Sequence, residues 1–329
     1  MLFANSMILG TLITISAYSW LGMWMGLEIN LLSIIPLLNS SKNATSTEAS
    51  VKYFLTQALA SMILLFSIIA LLTIGEFIPP VFNQSLVMVM NSTLLTKLGA
   101  APFHFWFPEV MEGLSWINCL ILLTWQKIAP MILIMNNNPS FSMITVIIIL
   151  SVFLGGLMSL NHTSLRKIMA FSSINHIGWM LAASSAMSIW TWYLIVYTFL
   201  NLNIVLIFYW TQSFYMKQLI NSLNKKKLIK TAFMINFLSL GGLPPFIGFL
   251  PKWLVISMLI GKMQITLAII MVIITLVSLY VYFRISMSSL VLINTESKIK
   301  WKEKTTFFSS IIMMNSVMIG IATTLFNWI

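Results

Sequence analysis

The sequence predicts an all-α polytopic membrane protein, and three observations support that fold class. Hydrophobic residues make up 59% of the 329 residues and charged residues only 8%, whereas a soluble domain carries about 25% charged residues. Long apolar runs follow one another along the chain, giving a mean hydropathy of +0.95. Two of these runs are interrupted by the same motif, at Pro102 and at Pro245.

About eleven apolar runs reach the length of roughly 20 residues that a membrane-spanning helix needs. The predicted helices cover residues 2–18, 20–38, 48–74, 85–114, 117–135, 143–160, 164–183, 189–210, 231–260, 264–287 and 306–328. The first run has no basic region before it and no small-residue cleavage site. We therefore expect a retained helix rather than a signal peptide.

The fourth and ninth predicted helices contain the interruptions. Each reads Pro-Phe, four further residues and Pro, beginning at Pro102 and at Pro245. Proline removes a backbone donor and clashes with the preceding turn, so both helices are predicted to be discontinuous at membrane depth. A pair of interrupted apolar segments in corresponding positions is typical of ion transporters that are built from internal repeats.

The two interrupted helices lie five helices apart and therefore cross in opposite directions. This spacing predicts two inverted five-helix repeats, residues 1–137 and 138–288, followed by a basic loop and a terminal helix in 289–329. All belong to one membrane domain.

The basic residues give the predicted orientation. Fourteen of the 18 lie in or beside loops that follow even-numbered helices: Lys42, Lys52, Arg166, Lys167, Lys217, Lys225, Lys226, Lys227, Lys230, Arg284, Lys298, Lys300, Lys302 and Lys304. Only Lys262 follows an odd-numbered helix. The positive-inside rule then places the amino terminus on the positively charged side and the carboxyl terminus on the other.

Four charged residues remain inside predicted helices: Glu28, Lys97, Lys127 and Lys252. Each costs about 2.5–3.5 kcal/mol at the centre of a spanning helix, so they must face the bundle interior. Burial disfavours the charged form of lysine and a nearby carboxylate favours it, which is the balance that a proton relay requires. The alternatives are a snorkelling anchor for a lysine near a helix end and a structural hydrogen bond for Glu28. Snorkelling is expected for Lys262 and Lys52, and the helix boundaries leave it open for Lys252.

Two histidines lie in predicted membrane segments, His104 inside the first interruption and His176 in the seventh helix. Histidine titrates near neutrality, so both are possible relay members. A satisfied buried polar group is the alternative for each.

Composition excludes several other functions. The single Cys119 excludes a disulfide framework and any multi-cysteine metal or iron–sulfur site, and no glycine-rich nucleotide motif is present. The net charge of +11 does not indicate nucleic acid, because the bases occupy short loops between apolar spans. We expect neither a metal nor a cofactor in this chain.

Several motifs resemble one family. They are residues 97–108 around the first break, 240–249 and 251–253 around the second, and 20–30, 46–49, 124–130 and 164–179 elsewhere. Together they are similar to the antiporter-like, proton-pumping subunits of respiratory complex I over nearly the whole chain.

The resemblance implies roles for individual residues. Glu28 matches the acid that pairs with the first channel lysine, Lys97 matches that lysine, and Lys127 matches the bridging lysine. Lys252 matches the lysine of the second broken helix. The resemblance further implies a multi-pass protein of the mitochondrial inner membrane, with its amino terminus in the matrix and its carboxyl terminus on the intermembrane-space side.

The implied activity is proton translocation as a core subunit of NADH:ubiquinone oxidoreductase, a translocase of the respiratory chain. The implied partners are other membrane-arm subunits, lipids and protons, while NADH, FMN, iron–sulfur clusters and ubiquinone are bound by other subunits. One alternative is a stand-alone antiporter that exchanges Na⁺ or K⁺ for H⁺. Another is a structural spacer with vestigial charges.

Overall fold

The computed structural model of the chain describes residues 2–39, 43–74, 80–137, 139–223 and 227–291. These residues form helices joined by short connections. The α-helices are Leu2–Ser16 (α1), Trp20–Leu38 (α2), Ala44–Ile74 (α3), Pro80–Leu98 (α4), Trp106–Gly113 (α5), Trp116–Leu123 (α6), Ile128–Asn136 (α7), Phe141–Met158 (α8), Leu165–Ala183 (α9), Met187–Thr211 (α10), Met216–Leu223 (α11), Lys227–Gly241 (α12), Phe249–Gly261 (α13) and Ile265–Val291 (α14). Two 3₁₀ turns, Trp125–Lys127 and Ser159–Asn161, extend α6 and α8.

Each predicted helix that ends before residue 288 has a helical counterpart. Helices α3 and α12 begin four residues earlier than predicted, and α4 begins five residues earlier. The predicted terminal helix, 306–328, lies outside the described residues. Six helices in the described part of the chain are long and apolar enough to cross a membrane. The all-helical membrane fold is therefore confirmed, while eleven crossings and the inverted layout remain predictions.

The described residues group into two compact units, one up to Ser151 and one from Val152 onward. The predicted repeat boundary at residue 137 stays a prediction. In the first unit α1 packs against α2, and α3 packs against α2, α4 and α5. In the second unit α9 is central and contacts α10 and α13, and every residue from Ile168 to Ala183 is buried.

The same close helix contact occurs inside each unit. A Cβ atom at Gly10 of α1 would lie 2.9 Å from the backbone nitrogen of Asn30 in α2. In the second unit a Cβ atom at Gly155 of α8 would lie 2.7 Å from the backbone nitrogen of Asn175 in α9. Small residues allow membrane helices to approach this closely. The matching contacts support an internal repeat.

Both predicted helix interruptions are present, but neither begins at the proline. Helix α4 ends before Gly99 and α12 ends before Gly242, and these glycines have φ values of +74° and +81°. A left-handed residue ends a helix and is the conformation that glycine adopts at least cost. Pro102 and Pro245 follow in the exposed turns, where they prevent the helix from resuming at once.

Several basic residues that were expected in or beside loops lie inside helices, among them Lys52 in α3, Lys217 in α11 and Arg284 in α14. Lys52 lies in the third turn of α3 and is partly exposed. Its ammonium is 3.0 Å from Glu48 and 3.1 Å from Glu109 of α5. The pair with Glu48 has the i, i+4 spacing that stabilises helices.

Candidate functional site

Lys97 lies in the last turn of α4, immediately before the first break. Its side chain is 7% exposed, and the carbonyl end of the helix favours a positive charge there. A cavity of about 20 Å³ lies beside it, which is enough for one water molecule. The cavity is lined by Leu27, Asn30, Leu31, Tyr53, Gln57, Lys97, Gln126 and Pro130.

Glu28 of α2 is the acid near this lysine. Its Oε1 atom is buried without a hydrogen-bond partner among the described residues. The ion pairs among the described residues do not include one between Glu28 and Lys97, but Leu27, the neighbour of Glu28 in α2, lines the cavity beside Lys97. A buried carboxylate oxygen without a hydrogen bond is costly, so a water molecule at this atom would stabilise it.

Lys127 occupies the 3₁₀ turn between α6 and α7 and is 2% exposed. Its Nζ atom lies 5.9 Å from the ring centroid of Phe107 in α5. Lys97 and Lys127 both line a second cavity, of about 10 Å³, together with Tyr53, Trp106 and Gln126. The structure therefore brings two of the predicted lysines to one cavity wall.

Two amide side chains connect the walls of this region, and they were not among the predicted site residues. Asn30 donates to Oε1 of Gln126 over 3.1 Å, and Gln126 donates to Oδ1 of Asn30 over 3.0 Å. Gln126 lines both cavities and so does Tyr53. The available signal was the position of these amides inside apolar spans, Asn30 two residues after Glu28 and Gln126 directly before Lys127.

His104 lies in the first break and is 3% exposed. Its ring stacks on Phe105 with centroids 4.6 Å apart, and its carbonyl accepts a hydrogen bond from the Phe107 amide over 3.0 Å. These contacts hold the turn that joins α4 to α5. Neither contact uses a ring nitrogen, and Nδ1 is buried without a hydrogen-bond partner among the described residues, so both roles of His104 stay predictions.

Lys252 lies in the first turn of α13, after the second break, and is 6% exposed. Its ammonium donates to the carbonyl of Gly241 over 2.9 Å and to that of Leu240 over 3.2 Å. These carbonyls end α12, so they lack the usual partners within the helix. Lys252 therefore has hydrogen bonds inside the second unit and is not a snorkelling anchor.

His176 lies on the buried helix α9. Its Nδ1 atom is 2.8 Å from the hydroxyl of Tyr193, and its ring lies 5.0 Å from that of Tyr197. Trp179, three residues further along α9, has its ring centroid 5.8 Å from the Lys252 ammonium. Side chains three apart share a helix face. His176 and Trp179 therefore lie on the side of α9 that faces Tyr193, Tyr197 and Lys252.

The described residues contain no group of three or more His, Cys, Asp or Glu side chains that could hold a metal ion. The described arrangement is instead one of buried ammonium groups, with Lys97 and Lys127 beside a small cavity and Lys252 beside backbone carbonyls.

Comparisons with known proteins agree with this description. A family described as "NADH:quinone oxidoreductase/Mrp antiporter, TM" matches residues 17–278. NADH-ubiquinone oxidoreductase chain 2 of Anopheles gambiae is 51% identical over 325 residues, covering 97% of this chain and 94% of that protein. The Locusta migratoria protein of the same name is 43% identical over 299 residues, covering 90% of this chain and 87% of that protein.

Solved structures share the fold. A chain of respiratory complex I from Thermus thermophilus superimposes with a TM-score of 0.86 at 23% identity, covering 98% of this chain and 77% of that one. A chain of the Mrp complex from Dietzia gives a TM-score of 0.78 at 15% identity, covering 98% of this chain and 74% of that one. The chain belongs to the NADH:quinone oxidoreductase/Mrp antiporter family of membrane proteins. Within that family it groups with the NADH-ubiquinone oxidoreductase chain 2 proteins.

Proposed function

We propose that the chain is a proton-translocating membrane-arm subunit of NADH:ubiquinone oxidoreductase in the mitochondrial inner membrane. Its similarity to the chain 2 proteins extends over nearly all of its length. The central observation is that Lys97 and Lys127, both buried, line one small cavity. Intramembrane ionisable residues that line a cavity in the bundle interior are typical of proton relays.

In the proposed cycle, Glu28 stabilises the charged form of Lys97. Quinone reduction elsewhere in the complex changes this interaction through a conformational or electrostatic perturbation, and Lys97 then releases its proton. Gln126 and Tyr53 line the cavities beside Lys97 and can orient a water molecule that passes the proton to Lys127. The later step to Lys252 rests on the family resemblance.

The other components of the reaction belong to other subunits in this proposal. NADH, FMN and the iron–sulfur clusters are bound there, since this sequence has one cysteine and no nucleotide motif. The assignment of ubiquinone to another subunit rests on the family resemblance. The chain's partners are neighbouring membrane-arm subunits, lipids and protons, and nucleic acid is not among them. The charge asymmetry supports eleven crossings, two inverted repeats and an amino terminus in the matrix.

Replacing Lys97 with Met tests the relay. Methionine keeps an unbranched side chain and removes the titratable group, so protons pumped per electron should fall and coupled turnover should drop by roughly tenfold or more. Both quantities are measured on the intact complex in vesicles. Lys262→Met is the matched control, because Lys262 is exposed and contacts only the Ser185 carbonyl, at 3.4 Å, among the hydrogen bonds described. Undiminished pumping in the Lys97 variant would refute the relay.

A stand-alone cation/proton antiporter is the second candidate, because the fold also matches a chain of an Mrp complex. The purified chain in vesicles would then exchange Na⁺ or K⁺ for H⁺ without other subunits. The complex I proposal predicts no such exchange and predicts co-purification with NADH oxidation activity.

A structural spacer would leave the proton stoichiometry unchanged in variants of all four buried charges.

A further inference from the structure

The second unit contains an open cavity of about 360 Å³ that proton transfer does not use. Asn161, His162 and Arg284 form its polar wall, and Ile220 and Val281 contribute to its apolar wall. This volume lies in the range of roughly 300–1,000 Å³ that small-molecule sites occupy. The combination of a polar and an apolar wall suits an amphipathic molecule.

The polar wall is held in place by backbone and ring contacts. The Leu165 amide donates to the Phe214 carbonyl over 2.9 Å, and the Met216 amide donates to the Thr163 carbonyl over 3.2 Å. The His162 ring stacks on Phe171 with centroids 5.1 Å apart. The cavity is therefore a formed feature of the unit rather than a gap between loose loops.

The end of the unit that holds the cavity is rich in basic residues. Arg284 is exposed on the cavity wall. Arg166 and Lys167 of α9 lie next to the lining residue Ile168 in sequence, and Lys217 of α11 lies next to the lining residue Met216. Between residues 152 and 291 the sequence contains ten Lys and Arg residues and no Asp or Glu, so no acid of this segment repels an anion from Arg284.

The position of the cavity at a helix end indicates the kind of anion. Asn161 ends the candidate membrane span Phe141–Asn161 and lines the cavity, so the cavity lies at the level where headgroups and the first acyl carbons meet. The neighbouring helix α11 packs Leu219, Ile220 and Leu223 inside the unit and exposes Lys217 and Gln218. Ile220 thereby contributes to the apolar wall.

We propose that this cavity binds the headgroup of an anionic phospholipid. Its phosphate accepts hydrogen bonds from Arg284 and Asn161, and its glycerol and upper acyl carbons contact Ile220 and Val281. Basic pockets between membrane helices bind acidic headgroups in this way. A free phosphate ion would offer the same oxygens but nothing to the apolar wall. The site does not depend on the proton relay.

The test uses the intact complex in phosphatidylcholine vesicles that contain a photoreactive phosphatidylglycerol. After irradiation, labelled peptides are identified by mass spectrometry. We expect labelling at residues 159–168, 216–223 or 281–288, and no competition from inorganic phosphate. Arg284→Gln should weaken binding about fivefold, the effect of one basic residue near a membrane surface. Lys262→Gln, at an exposed base outside the cavity, should have no effect.

A second variant tests the space inside the cavity separately from its positive charge. Ser288→Trp fills the cavity from its wall without removing a base, and it should abolish the labelling as well. Equal labelling by a photoreactive phosphatidylcholine would overturn the proposal, because it would show no recognition of the acidic headgroup. Competition by inorganic phosphate would identify a soluble-anion site instead. Absence of labelling, with cross-links to a neighbouring subunit, would show that a protein occupies the cavity.

Discussion

At the scale of single residues, the buried lysines are accommodated in different ways. Lys252 donates to two carbonyls at the end of α12. Lys97 instead lies beside a cavity and near Glu28, whose Oε1 atom has no hydrogen-bond partner in the described part of the chain. Lys252 thus has two protein acceptors for its ammonium group, whereas Lys97 lies beside space for one water molecule. This difference in surroundings supports separate roles for Lys97 and Lys252.

Gln126 is the residue whose role the structure adds to the relay. Gln126→Leu keeps a similar volume but removes one polar side chain from the lining of both cavities. It also leaves the Asn30 amide without its Gln126 partner, at a cost of about 1–3 kcal/mol in unfolding free energy. We expect proton pumping per electron to fall. Asn118→Leu is a matched control. Asn118 is also a half-buried amide, and it donates a hydrogen bond to the Leu37 carbonyl, but it lies outside both cavities.

The double variant Asn30→Leu with Gln126→Leu separates stability from proton transfer. Replacing both partners of a buried hydrogen bond by apolar groups can be nearly neutral. Thermal stability should therefore recover relative to the single variant, while pumping stays low. Recovery of both would show that Gln126 acts only through packing.

At the scale of helices, the two breaks place their lysines at opposite helix ends. Lys97 is in the last turn of α4, where the helix dipole favours a cation, and Lys252 is in the first turn of α13, where it does not. The carbonyl end of α12 offsets that unfavourable position by accepting the Lys252 hydrogen bonds. The discontinuity itself therefore provides the binding position of the second lysine.

Gly242 makes this arrangement testable. A Cβ atom there would lie 2.8 Å from Cδ and 3.0 Å from Nζ of Lys252, at a φ of +81°. Gly242→Ala should cost about 1–2 kcal/mol through the backbone and should displace the ammonium, lowering both melting temperature and pumping. At the adjacent Gly241 the nearest atom would be 3.6 Å away, so Gly241→Ala should leave pumping intact. Equal pumping in the two variants would contradict the proposed position of Lys252.

At the scale of the whole molecule, sequence predicts the helices better than the site. Apolar length and proline position locate the long helices, because they depend on nearby residues. The short helix α11 was missed, since its eight residues fall far below the length of a membrane span. The pairing of Asn30 with Gln126 joins residues 96 apart, and the carbonyl partners of Lys252 depend on how the broken helix folds back. Neither contact produces a pattern in the nearby sequence from which it could be predicted.

The predicted orientation can be tested on α9, which spans about 28 Å along its axis at 1.5 Å per residue and has exposed residues beyond both ends, Asn161 and Ser185. If the amino terminus is in the matrix, Asn161→Cys should react with an impermeant maleimide only in inside-out inner-membrane vesicles. Ser185→Cys should react only in mitochondria stripped of their outer membrane. The wild-type chain gives the background, which should be low because Cys119 is fully buried. The reverse pattern would refute the orientation, and reaction of both sites from one side would refute α9 as a crossing.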